Sequence, residues 1–261
     1  MRLVQFTRLI VAAVAFSFAA GGHASAQPGD VFSATLMEAN AKTGEVSTEE
    51  LHRIVADRSA MVIDARPRAE FEAGHIPGAR VVDAPAGEQV AAVERLANAD
   101  KAAALVVYCN GPYCQASRRL AEQLAASGFK NVRRYQLGMP LWRALGGPTV
   151  IELNGIARIF NKDRTAVFVD ARTPEDFARG SLPGARNLTA ESLDATLKQM
   201  MTGKAANSPL PLDDFNGRIV LFGRDGEQVL SLAKAMTKRP WHNVSYFPGS
   251  YEELTGLFRQ K

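Results

Sequence analysis

The sequence is short of several residue classes, and each shortage excludes a kind of protein. Among 261 residues there are only two cysteines, Cys109 and Cys114, too few for a disulfide-built scaffold or a cysteine-rich metal domain. Aromatic residues make up 8% of the chain, and lysine and arginine form no block. We therefore expect no nucleic-acid partner, although 31 basic and 27 acidic residues leave a formal charge of +4.

Long apolar runs are also missing, apart from one near the N-terminus. A basic stretch, 1–8, precedes an apolar run, 9–20, and small residues follow at Ala24 and Ala26. This order is typical of a secretory signal peptide, here cleaved after Ala26, because the run is shorter than the roughly 20 residues that span a bilayer. We expect a periplasmic or secreted protein with no stable membrane span after cleavage; an uncleaved membrane anchor is the alternative.

The most informative feature of the sequence is an internal repeat. Residues 62–80 read VIDARPRAEFEAGHIPGAR and residues 168–186 read FVDARTPEDFARGSLPGAR, identical at nine of 19 positions. Two long units indicate a duplicated domain rather than a solenoid, and 46% hydrophobic residues can fill two cores of about 100 residues each. The predicted divisions are a signal peptide at 1–26, a lead segment at 27–45, a first domain at 46–148 and a second domain at 149–261.

Short apolar runs alternate with helical patterns in both copies. Buried strands are predicted at 60–63, 104–108, 166–169 and 218–222, helices at 117–127 and 229–237, and capped helix starts at 47–50 and 149–152. This alternation predicts an α/β fold in which each domain has a central, mainly parallel sheet flanked by helices. The second copy has about eight extra residues, which we assign to a surface loop at 204–214.

One position distinguishes the two copies. Cys109 follows a buried strand in the first copy, and Gly223 follows the equivalent strand in the second. Because the cysteine stands between a strand end and a helix start, backbone N–H groups and the helix dipole would stabilise its thiolate and cradle an anion. A thiolate in that place is a nucleophile.

The order of motifs in the first copy resembles the rhodanese superfamily of sulfurtransferases. The motifs are D-A-R, E-F, G-H-I-P-G-A, V-V-Y-C-x-G and, from Leu137 to Pro148, L-G-M-P-L-W-x-x-L-G-G-P. The resemblance covers nearly all of 46–148, and in the second copy it weakens after Gly223. It implies a parallel sheet with an active loop between a central strand and a helix. Tandem members usually carry the active cysteine in the C-terminal copy, the reverse of this chain.

The resemblance implies sulfur transfer by Cys109. Its thiolate would take the outer sulfur of a small anionic donor such as thiosulfate, become a persulfide, and pass that sulfur to a thiol or cyanide. This chemistry requires neither a metal nor an organic cofactor. The second domain would shape or cover the cleft and could bind a protein partner. The expected substrate-binding residues are Asn110, Gly111, Pro112, Tyr113, Cys114, Gln115, Ala116 and Arg66.

For several residues of the motifs, the sequence is compatible with more than one role. Cys114 could contact substrate, resolve a persulfide on Cys109, form a disulfide with it, or be a passive loop residue. Asp64 and Arg66 recur in the copy that has no cysteine, so an ion pair that serves the fold is favoured over a substrate role for Arg66. His75 is interpreted as part of a turn, and Trp142 as packing within its own domain.

Three other functions are compatible with parts of the pattern. Both domains could form a non-catalytic binding or regulatory protein, or Cys109 and Cys114 could serve thiol–disulfide chemistry. A phosphatase is disfavoured, because the arginine that would clamp phosphate about six residues after the cysteine is replaced by Gln115.

Overall fold

The computed structural model describes residues 30–202, 209–211 and 214–259. The predicted signal peptide, 1–26, lies outside them. Among the described residues no helix is both long and apolar enough to cross a bilayer.

The first domain is an α/β unit built on five parallel strands. Its elements are β1 (Gly44–Glu45), α1 (Thr48–Asp57), β2 (Met61–Asp64), α2 (Arg68–Ala73), β3 (Arg80–Val81), α3 (Gln89–Leu96), β4 (Ala104–Tyr108), α4 (Gln115–Ala126), β5 (Asn131–Tyr135) and α5 (Gly138–Ala144). The strand order is β1-β5-β4-β2-β3, so β4 lies at the centre of the sheet.

The second domain repeats this plan. Its elements are β6 (Thr149–Val150), α6 (Leu153–Lys162), β7 (Val167–Asp170), α7 (Pro174–Ala178), β8 (Arg186–Asn187), α8 (Leu193–Met201), β9 (Ile219–Phe222), α9 (Gly226–Thr237), β10 (Val244–Tyr246) and α10 (Tyr251–Arg259). The sheet, again parallel, has the order β6-β10-β9-β7-β8, with β9 in the place of β4. The predicted α/β fold with two parallel sheets is confirmed.

Each central strand is buried on both faces of its sheet. In β4, Val106 and Tyr108 join one apolar cluster, whereas Leu105 and Val107 join another. The strand β9 alternates in the same way between two clusters. Helices on both sides of a parallel sheet produce this continuous apolar pattern, which explains why the central strands were predicted to within one residue.

The two capped helix starts had different outcomes. Ser47 caps α1, because its hydroxyl accepts a hydrogen bond from the Glu50 N–H at 3.1 Å, as predicted. The cap at Thr149 was wrong. Thr149 begins β6, and its hydroxyl bonds Ser245 at 2.8 Å, while α6 starts after Glu152. A strand between the turn and the helix had no apolar signal long enough to recognise.

The predicted loop at 204–214 lies partly outside the described residues. Leu210 is buried in a core cluster of the second domain, and the indole N–H of Trp241 donates to the carbonyl of Pro211 at 2.9 Å. The described part of the segment has neither helix nor strand, as expected of a loop, but Leu210 lies in the core rather than at the surface.

The domains meet where α6 packs on α2. The side chain of Glu72 is almost fully buried there and accepts a hydrogen bond from the Arg158 guanidinium at 2.6 Å. Gly155 allows the close approach, since a Cβ at that position would collide with the carbonyl of Glu72. His75 and Val150 also exchange two backbone hydrogen bonds of 2.9 Å. The interface therefore combines a partly buried ion pair with backbone pairing.

Candidate active site

Cys109 lies at the carboxyl end of the central strand of the first domain. It follows β4 directly and is only 3% exposed. Its carbonyl accepts a hydrogen bond from the N–H of Met139 at 3.0 Å, so the start of α5 holds its backbone in place. The carboxyl ends of parallel strands are the usual place for ligand sites in open α/β sheets.

A five-residue loop, 110–114, connects Cys109 to α4. Gly111 has a φ of 110°, and its carbonyl accepts the N–H of Cys114 at 3.0 Å. Gly138, with a φ of 63°, lies against the backbone of Cys109 and Gly111, where any side chain would collide. The glycine in the L-G-M-P motif therefore serves the cysteine loop, which the sequence did not reveal.

Cys109 and Cys114 are joined by a disulfide across the loop. Their Cα atoms are 6.2 Å apart, within the normal range for such a bond. Of the four roles left open for Cys114, a disulfide with Cys109 is the one that this structure contains. Because the thiolate is the nucleophile, Cys109 can react with a sulfur donor only after this bond is reduced.

The helix after the loop presents free backbone donors. Cys114 occupies the position before α4 and makes no side-chain hydrogen bond to the helix. Within this described segment, the N–H groups of Gln115 and Ala116 form no hydrogen bond with the protein. Unpaired N–H groups at a helix start attract anions. Gln115 and Ala116 belong to the first turn of α4, not to the loop.

The remaining loop residues differ in their contacts. The amide of Asn110 donates to the carboxylate of Glu70 on α2 at 2.6 Å, an anchor that the sequence analysis missed. Pro112 is exposed, and Tyr113 is 95% exposed. Arg118, further along α4, pairs with Glu38 and Glu122. Asn110 is thus fixed, whereas Tyr113 is free to meet a ligand.

Arg66 is held inside the first domain. Its Nε donates to Asp64 at 2.9 Å, and its Nη2 donates to the carbonyl of Gly74 at 2.9 Å. The Tyr108 hydroxyl also donates to Asp64, and burial raises the pKa of Tyr108 well above its ordinary value. The favoured interpretation, an ion pair with turn hydrogen bonds, is present, and these contacts direct Arg66 towards the turn. Its substrate role stays a prediction.

The second domain repeats this ion pair without a cysteine. The Nε of Arg172 donates to Asp170 at 3.0 Å, and its Nη2 donates to the carbonyl of Gly180 at 2.7 Å. Ser181 stands where the first domain has His75, and its hydroxyl donates to Asp170 at 2.7 Å. In both domains the motif therefore joins the end of the second strand to the turn that follows the next helix, α2 or α7.

His75 and Trp142 both contribute to packing. His75 is 5% exposed, stacks on Phe71, and hydrogen-bonds the carbonyl of that residue at 2.9 Å. Burial lowers the pKa of His75 to about 4, so its ring is neutral at pH 7. Trp142 is buried and donates its indole N–H to Pro148 at 3.1 Å, as expected for a residue that packs within its own domain.

The equivalent loop of the second domain is closed by its own side chains. Only two residues, Arg224 and Asp225, separate Gly223 from α9. The N–H of Arg224 donates to the side-chain oxygen of Gln228 at 2.9 Å, and the carboxylate of Asp225 accepts the N–H of Gln228 at 2.9 Å. A Cβ at Gly223 would lie 2.7 Å from the Gln228 oxygen. In this loop, side chains therefore accept the N–H of Arg224 and the N–H of the third residue of α9.

A cavity of about 840 Å³ lies between the domains, but none of the cysteine-loop residues lines it. Its walls include His52 and Trp142 of the first domain and Lys234 of the second. On the first-domain side, the hydrogen bonds that join the domains among the described residues are likewise made at α2 and at the residues that follow it. The second domain therefore contacts α2, and no hydrogen bond among the described residues joins it to the cysteine loop.

Comparison with known proteins gives consistent family matches. The model of the rhodanese-like domain matches residues 47–145 and 156–256. The thiosulfate sulfurtransferase GlpE of Pseudomonas putida is 36% identical over 99 residues, which are 38% of this chain and 84% of that protein. The HTH-type transcriptional regulator Rv0324 of Mycobacterium tuberculosis is 37% identical over 87 residues, which are 33% of this chain and 36% of the regulator.

Among solved structures, the thiosulfate sulfurtransferase of Pseudomonas aeruginosa is similar at 24% identity and a TM-score of 0.36. The match covers 81% of this chain and 44% of that one, so this chain spans less than half of that protein.

The structure is a tandem α/β protein with two parallel sheets. In each sheet a loop follows the carboxyl end of the central strand, and one of the two loops begins at a cysteine. The chain belongs to the rhodanese-like family, with one such domain in each half.

Proposed function

We propose that the protein is an exported sulfurtransferase that moves a sulfane sulfur through a persulfide on Cys109. The observation that supports this most directly is the place of Cys109, at the end of β4 and before a helix start with free N–H donors. Family membership and the similarity to thiosulfate sulfurtransferases support the same reaction class.

In the proposed reaction, the reduced Cys109 thiolate attacks the outer sulfur of an anionic donor such as thiosulfate. The sulfur–sulfur bond of the donor breaks, and its electron pair leaves with sulfite. The N–H groups of Gln115 and Ala116 offer hydrogen bonds to the anion. A thiol or cyanide then takes the outer sulfur from the persulfide and returns Cys109 as a thiolate.

The test is sulfite release by the mature protein after its disulfide has been reduced and the reductant removed. On mixing with thiosulfate, the wild type and Cys114→Ser should release sulfite, whereas Cys109→Ser should release none. With cyanide present, thiocyanate should form in the same two proteins. Failure of both active forms to release sulfite would refute the proposal and favour a non-catalytic binding protein.

A thiol–disulfide function is the second candidate, because the structure contains the Cys109–Cys114 bond. Such a protein would exchange this disulfide with a substrate dithiol and would not react with thiosulfate. The sulfite assay separates the two functions, since only a sulfurtransferase breaks the sulfur–sulfur bond of thiosulfate.

Export is part of the proposal and is supported by the order of basic, apolar and small residues in 1–26. Expression of the full chain in a bacterial host should yield a periplasmic protein that begins at Gln27. An N-terminal sequence that still begins at Met1 would contradict cleavage.

A further inference from the structure

The two cysteines of the loop are within bonding reach of each other in the folded domain. The disulfide links the end of β4 to the position before α4, and only residues 110–113 lie between them. No rearrangement of the strand or the helix is needed to bring the sulfurs together. A persulfide on Cys109 would therefore form beside a second thiol.

The position of Cys114 also favours its thiolate. In the second domain the same place before the helix is held by Asp225, whose carboxylate accepts the N–H of Gln228 at 2.9 Å. In the first domain Cys114 stands there, next to the unpaired N–H groups of Gln115 and Ala116. Because a negative charge is stabilised at a helix start, a thiolate can take the place of the carboxylate.

We propose that Cys114 is the resolving cysteine of the site, and that the protein reduces the transferred sulfur to hydrosulfide. The inference rests on the proposed function, because it begins from the Cys109 persulfide. The Cys114 thiolate attacks the inner sulfur, the Sγ of Cys109. A disulfide forms between the two residues, the bond to the outer sulfur breaks, and hydrosulfide leaves with the electron pair.

The electrons balance within the domain for one turnover. The two thiols lose two electrons in becoming a disulfide, and the sulfane sulfur gains two in becoming hydrosulfide. In the overall reaction, a dithiol and thiosulfate give a disulfide, sulfite and hydrosulfide. A further turnover requires an external dithiol, which would reach Cys114 more easily, because Cys114 is half-buried whereas Cys109 is 3% exposed.

Single-turnover chemistry of the full mature chain tests this role. The reduced protein, freed of reductant and kept dilute so that molecules do not react with each other, is mixed with thiosulfate. Sulfite, sulfide and intact mass are then measured for the wild type, Cys114→Ser and Cys109→Ser. Serine is a preferred residue at the position before a helix, so Cys114→Ser should not weaken the start of α4.

The wild type should release sulfite and sulfide in equal amounts and end as the disulfide, with a mass lower by two hydrogens. Cys114→Ser should release sulfite without sulfide and retain one added sulfur, and Cys109→Ser should release neither. With cyanide as acceptor, Cys114→Ser should form more thiocyanate per sulfite than the wild type, because its persulfide survives.

Two results would overturn the resolving role while leaving the proposed function intact. One is a wild type that retains the added sulfur and releases no sulfide, and the other is Cys114→Ser releasing as much sulfide as the wild type. Absence of sulfite from both proteins would instead refute the sulfurtransferase function, and the resolving role with it.

Discussion

The stability of the first domain should depend on pH through His75. This residue is 5% exposed, stacks on Phe71 and pairs through its backbone with Val150 of the second domain. Burial is the main cause that lowers its pKa from 6.5 to about 4, while the hydrogen bond to Phe71 and the charge of Asp64 oppose the shift and the charge of Arg66 adds to it.

The direction follows from proton binding. Between about pH 4 and 6.5 the unfolded chain binds a proton at His75 and the folded domain does not, so stability is complete above pH 6.5 and decreases as the pH falls. From the difference in pKa, the loss is about 2 kcal/mol at about pH 5 and about 3 kcal/mol below pH 4. Both values concern this residue alone.

Urea denaturation at about pH 7.5 and pH 5 would measure the effect as a change in the free energy of unfolding. His75→Gln should lose about 2 kcal/mol less than the wild type over this interval. His52→Gln is the matched control, because His52 is only half-buried, and it should retain most of the pH dependence. An unchanged pH dependence in His75→Gln would show that this histidine is not protonated on unfolding.

Two further predictions concern the loops after the central strands. Gly138→Ala should slow sulfite release and lower the unfolding free energy by at least about 1 kcal/mol, because its Cβ would strike the backbone of Cys109. Gly128→Ala is the control: Gly128 also has a positive φ but lies in open space, so this variant should lose stability without slowing the reaction. Equal rates of sulfite release in the two variants would contradict the role assigned to Gly138. Gly223→Cys should not make the second domain active, so in a Cys109→Ser background it should release no sulfite from thiosulfate. The reason is that the side chain of Gln228 accepts the N–H of Arg224 in this loop and would crowd the new cysteine side chain.

The sequence predicted the regular parts of both domains because their signals are local. An apolar run such as 104–108 is typical of a strand that is buried on both faces of a covered parallel sheet, and the structure has β4 at those residues. The repeated D-A-R motif likewise indicated a pair of Asp64 and Arg66 that serves the fold, and both domains contain it.

The features that could not be predicted depend on contacts between distant residues. Glu70 and Asn110 are 40 positions apart, and neither has a pattern that indicates the other. Gly138 was recognised only as part of a family motif. A glycine is needed there because the residue lies against the cysteine loop, and this contact arises only when β4 and β5 pair side by side. Thr149 is of a residue type that often caps helices, but in the structure it belongs to a two-residue strand.

The contacts on α2 connect the second domain to the cysteine loop. Glu72 on this helix is buried against Arg158 of the second domain, and Glu70, two residues earlier, accepts the hydrogen bond from Asn110 beside Cys109. Since a six-residue helix is too short to be stable by itself, its position depends on what packs against it. The domain without a cysteine therefore contributes to the site through α2, by fixing the helix that anchors the first residue of the loop.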